Sequence, residues 1–131
     1  MNSTFRPVDL LLRLEWAAVL LAAIAFYVFA GGSWQLFVLL ILAPDLAMVG
    51  YLAGPASGAA VYNAFHILVW PAILFVAGLS MDSALTVQVA AIWTAHIAMD
   101  RALGYGLKLP TGFADTHLGR IGKGSRKPDD S

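Results

Sequence analysis

Glu15, Asp45, His66, His96 and Asp100 are ionisable side chains set in stretches of sequence that are otherwise apolar. Charged groups in such surroundings are costly, so they face the inside of a bundle and are paired or placed at a functional site. Two imidazoles with carboxylates are the donor types that bind zinc, iron or manganese. In that reading His66 and His96, with Asp45 or Asp100, hold a divalent ion. An open coordination position would bind water and lower its pKa toward neutrality. Glu15 could then take the proton as general base, with Asp100 beside it when Asp45 is the third ligand. The resulting chemistry is hydrolysis of a lipid-like ester, amide or phosphate at the inner leaflet. Without a metal the same residues form a network that fixes helix register, as in a noncatalytic assembly partner or lipid-binding module. A third use is a proton or small-solute path, which is weakened because residues 34–43 offer only Gln35 toward the far side. The chain contains no cysteine, which excludes disulfides, thiol catalysis and thiolate ligands. It also lacks an HExxH run.

The elements that must position these groups follow from composition. Of the 131 residues 60% are hydrophobic and 12% charged, where a soluble domain has about half and about a quarter. A helix needs about 20 mostly apolar residues to cross a hydrocarbon core of about 30 Å. Four segments qualify: one from 8 or 14 to 30, then 34–53, 58–79 and 84–103, separated by Gly31-Gly32-Ser33, Gly54-Pro55 and residues 80–83. Connections this short force antiparallel neighbours. The expected fold is all-α, an integral membrane up-down four-helix bundle. It occupies residues 1–118, including a cytoplasmic loop after the last helix, and a flexible basic tail follows over 119–131.

Charge distribution gives the direction. Every Lys and Arg lies near an end: Arg6 and Arg13, then Arg101, Lys108, Arg120, Lys123, Arg126 and Lys127. By the positive-inside rule both termini are cytoplasmic. Tyr27 and Trp34 then fall at the outer interface, and Tyr51, Tyr62 and Tyr105 near the inner one. Counting about 1.5 Å per residue from the inner helix ends puts Glu15, Asp45, His66 and His96 at roughly 10 to 13 Å from the cytoplasmic boundary, one residue from each helix. Asp100 lies one turn below His96, and Asn63 nearly one turn below His66. Arg101 becomes a rim charge. Pro44 and Pro71 mark kinks that open backbone carbonyls toward the layer. Beyond the last helix, Asp115 and His117 belong to an ordered loop that could fold over the cytoplasmic mouth as supporting groups. The bilayer is the expected partner, with anionic lipid at the basic tail. A net charge of zero gives no reason to expect nucleic acid. Oligomeric state is left open.

Several runs in combination carry a resemblance. They are Pro44-Asp45-Leu46-Ala47-Met48-Val49-Gly50-Tyr51-Leu52-Ala53-Gly54-Pro55, Tyr62-Asn63 with His66, His96-Ile97-Ala98-Met99-Asp100-Arg101, Gly104-Tyr105-Gly106-Leu107-Lys108 and Thr116-His117-Leu118-Gly119. The sequence resembles DUF4260, a family of small bacterial membrane proteins catalogued as a domain of unknown function. The resemblance runs from the first helix to Gly119 and implies a bacterial inner-membrane location. It brings no reaction, so no catalytic role passes to any residue.

Overall fold

The computed structural model describes residues 6–105, 115–116 and 119–120. Helix α1 spans Pro7–Phe29, with proline in its first turn, where the missing N–H costs no hydrogen bond. Gly31 follows it at φ +78, and Gly104 follows the last helix at φ +94. Both positions need the left-handed backbone that glycine adopts without penalty. Ser33 opens α2, Trp34–Leu40, by accepting a hydrogen bond from Leu36 N–H at 3.2 Å. A 3-10 segment follows at Ala43–Ala53, then α3 at Pro55–Phe65, α4 at Val69–Ser80 and α5 at Ala84–Leu103. Ser83 caps α5 through Thr86 N–H.

The second and third expected spans are therefore each broken, and a proline accounts for each break. Pro44 has no N–H for the Leu40 carbonyl, and its ring crowds that position, so α2 stops at Leu40. Pro71 acts in the same way on Ile67, and α3 has ended at Phe65 before that point.

Helix α5 is the hub. It packs against α1, α4 and α2, while the 3-10 segment packs against α3. Ten of its residues are buried, against Ala23 and Tyr27 alone in α1. Helices α1 and α5 are antiparallel and tied near both ends: Arg13 Nε donates to Ala102 O at 2.7 Å, and Gln88 Nε2 donates to Ala30 O at 2.9 Å. The 3-10 segment and α3 approach closely where the Tyr51 ring lies over Gly58 and Val61 over Gly50.

Three helical stretches, Pro7–Phe29, Trp34–Ala53 and Pro55–Ser80, are long and apolar enough to cross a membrane. Their outer faces carry exposed residues such as Leu11, Leu21, Val28, Leu39 and Ile73. The fourth expected span has the anticipated bounds but is not among these three, because Gln88, His96, Asp100 and Arg101 make it the most polar of the long helices. It is buried by the others. Tyr27 also departs from expectation. It is buried rather than set in an interfacial belt, and its hydroxyl donates to Ser33 O at 2.6 Å.

After α5, Asp115 pairs with Arg120 and Thr116 with Gly119 in a short antiparallel ladder. His117 and the tail from residue 121 lie outside the described residues, as does most of the expected cytoplasmic loop.

Candidate metal centre

The two breaks face α5, and side chains of α5 take up carbonyls that the breaks release. At the first, Asp45 N–H bonds Leu42 O at 3.0 Å, and His96 Nδ1 donates to Ile41 O at 2.5 Å. At the second, Trp93 Nε1 donates to Phe65 O at 2.7 Å, and Arg101 donates to His66 O at 2.9 Å. Buried carbonyls without such partners would be costly.

Each break also carries a ligand-type side chain. Asp45 lies in the first turn of the 3-10 segment, and His66 is the residue that ends α3. They meet His96 and Asp100, one turn apart on α5. Asp45 Oδ1 lies 3.2 Å from His66 Nε2 and 3.1 Å from His96 Nε2. Asp100 Oδ2 lies 3.5 and 3.3 Å from the same two nitrogens. The nitrogens are 3.1 Å apart. All four ligand atoms fall within 4.8 Å of one another. Around a zinc-like ion with bonds of about 2.0 to 2.1 Å, tetrahedral ligands are separated by roughly 3.3 to 3.4 Å. The five separations that involve a histidine nitrogen bracket that value, and the two carboxylate oxygens lie within 4.8 Å of each other.

Tautomers sharpen the comparison. His66 Nδ1 lies 2.7 Å from Tyr62 O. A carbonyl only accepts, so each Nδ1 must carry the proton in both histidines. A neutral imidazole then presents a bare lone pair at Nε2. Two such lone pairs and two carboxylate oxygens converge, which makes four acceptors facing one point. Something positive must sit among them. A single proton on His66 Nε2 can be donated to His96 Nε2 at 3.1 Å or to Asp45 Oδ1 at 3.2 Å but leaves one negative charge in excess, whereas one dication can bind all four acceptors and balances the two carboxylates. The backbone hydrogen bonds on the far ring nitrogens are the outer partners that metal-binding histidines normally have.

His66 is fully buried, with its ring stacked on Tyr62 at 3.7 Å between centroids. Tyr62 is thus a buried neighbour of the site rather than an interfacial residue. Asp45 is the open side, its side chain 33% exposed against 12% for Asp100.

The structure brings together Asp45, His66, His96 and Asp100 of the residues singled out by sequence. Glu15 lies on an exposed face of α1, outside the converging group. Asn63 is half-buried on α3, one turn before His66. Arg101 is buried rather than at the rim, holding the carbonyls of His66 and Tyr105. Asp115 is placed by its backbone pairing, and His117 lies outside the described residues. Sequence reasoning missed Tyr62 and Trp93 as partners of the site. The available signal was position: Tyr62 lies one turn before His66, and Trp93 nearly one turn before His96.

A sequence profile described as "Domain of unknown function (DUF4260)" matches residues 9–121, and the chain belongs to that family. Neither a curated protein nor a solved structure matches it.

Proposed function

We propose that this member of the DUF4260 family is an integral membrane metalloprotein. In this reading Asp45, His66, His96 and Asp100 bind one divalent transition-metal ion inside the bundle. The observation that carries it is the convergence of four acceptor atoms, two of them imidazole nitrogens whose other ring nitrogen is already committed to a carbonyl. A nitrogen and oxygen donor set whose histidine nitrogens lie at tetrahedral separations from each other and from the carboxylates favours zinc, with iron or manganese as alternatives.

The broken and apolar helical stretches, the central polar helix and the terminal placement of every Lys and Arg support a four-rod bundle with both termini in the cytoplasm. That orientation puts the site in the inner-leaflet half of a cytoplasmic membrane, the bacterial inner membrane in this family's setting. It also puts the basic tail where it can meet anionic lipid.

With Asp45 displaced by water, a bound ion would keep three protein ligands and an open position, supply Lewis acidity and lower the pKa of that water, so hydrolysis of a lipid-like substrate is the reaction class this donor set suits. His66 and His96 hold fixed orientations through their carbonyl partners, and Asp100 is nearly enclosed. Asp45, with a side chain more exposed than that of Asp100, marks the side on which water or substrate arrives, and once displaced from the ion it is better placed than Glu15 to accept a proton there.

The deciding experiment is metal content by mass spectrometry on detergent-purified protein, wild type beside His66→Ala and His96→Ala, with folding checked by circular dichroism. Near-stoichiometric metal in the wild type alone is expected. Absence of metal from the folded wild type even after it is supplied would overturn the metal site and leave a structural hydrogen-bond network.

A further inference from the structure

A half-open apolar cavity of about 170 Å³ is walled by sequence neighbours of the metal-site residues. Leu40, Pro44, Phe65, Val89, Ile92 and Trp93 contribute to its wall. Its wall is continuous in sequence with the ligands: Pro44 precedes Asp45, Phe65 precedes His66, and Ile92 lies one turn before His96 on α5. Along α5 the order runs Val89, Ile92, His96, Asp100, Arg101, from apolar wall through ligands to buried cation, over roughly 18 Å. The site therefore has an apolar end and a polar end.

We propose that this cavity receives the first carbons of an aliphatic chain whose polar head offers an oxygen to the metal, so that the ligand is a single-chain or leaflet amphiphile. The inference rests on the metal site proposed above. A closed apolar cavity of about 150 Å³ accommodates a benzene-sized molecule, so this half-open one of similar volume has room for about six carbons. Phe65, 44% exposed, stands at the outer edge, so a longer chain continues past it into the surrounding apolar phase. The polarity of the arrangement matches a lipid of the inner leaflet under the proposed topology, with its head toward the Asp100 and Arg101 end and its tail toward the bilayer centre.

The test uses the metal-loaded full chain in detergent micelles and straight-chain alkyl hydroxamates, from acetohydroxamate upward, as chelating heads on chains of increasing length. Wild type should bind about fourfold more tightly per added methylene, levelling off near six carbons. Val89→Phe fills the cavity and should flatten that series relative to acetohydroxamate in the same variant, while Val89→Ala should extend it. Equal slopes in wild type and Val89→Phe, with metal retained, would mean that the chains partition into detergent; the inference then fails and the metal site stands. Metal-loaded protein that binds no hydroxamate of any length likewise overturns the amphiphile inference and leaves the metal site in place. Protein that takes up no metal overturns both readings.

Discussion

Replacing Asp100 by Asn separates a metal site from an ion-pair network, because the change keeps the shape and removes one charge. Asp100 Oδ2 lies 3.3 Å from His96 Nε2 and 3.5 Å from His66 Nε2. With metal bound, the carboxylate is both a ligand and half of the charge that balances a dication, and a carboxamide replaces neither well. Metal at one hundred times its Kd adds about 2.7 kcal/mol to stability. A hundredfold loss of affinity at the same metal concentration leaves about 0.4 kcal/mol, a loss of about 2.3 kcal/mol. At about 4 °C per kcal/mol for a chain of this size, the melting temperature with metal should fall by about 9 °C. In chelator the amide still hydrogen-bonds the imidazoles, so wild type and variant should differ by less than about 1 kcal/mol. The assay is thermal unfolding in micelles followed by circular dichroism, with excess zinc and with chelator. Breaking a buried ion pair costs about 3 to 5 kcal/mol whatever the metal concentration. A drop above about 10 °C that is the same in zinc and in chelator would therefore refute the metal site.

Trp93→Phe should behave in the opposite manner. It keeps a ring but deletes the donor to Phe65 O, and leaving that carbonyl unpaired should cost about 1 to 3 kcal/mol equally in zinc and in chelator, read from the same melts. Acidification should release the ion. Its histidine ligands bind it as neutral rings and can take up protons as it leaves, so affinity falls as pH falls, by at most about a hundredfold per unit if two protons enter per ion, measured by competition with a chelator of known affinity. Because the chain has no cysteine, Met81→Cys and Ser131→Cys give single labels at opposite ends of the proposed topology. In intact cells a membrane-impermeant maleimide should label the first and reach the second only after permeabilisation; the reverse pattern would invert the orientation.

The limits of the helices were largely legible because glycine, proline and serine punctuate this sequence at the points where the chain turns. Depth was legible too: a constant rise per residue was enough to put Asp45, His66 and His96 on one level, and they meet. Rotation was not. Glu15 satisfied the same depth count, yet α1 turns it outward, because a helix with apolar residues on every side gives no period from which to read its inner face. The polar character of α5 was visible in the sequence, but not that the other helices bury ten of its residues. Arg101 was misplaced for the same reason. A position near a helix end suggested a rim charge, whereas the end of α3 lies beside it and supplies a carbonyl for it to hold.

The breaks and the polar helix require one another. A proline-broken helix in an apolar phase exposes carbonyls that lipid cannot satisfy, so a broken span is tolerable only where protein donors reach the gap. A helix carrying His96, Asp100 and Arg101 is in turn tolerable only where other helices shield it. Here α5 supplies donors to Ile41, Phe65 and His66, and α1, α2 and α4 pack against it. The hydrogen bond from His96 Nδ1 to Ile41 O belongs to both requirements: it closes the first break, and it fixes the tautomer that turns Nε2 toward the other three ligand atoms. Repairing the first break would therefore disturb the site directly. A continuous helix through residue 44 would reclaim the Ile41 carbonyl and leave His96 with a proton that no longer has an assigned place.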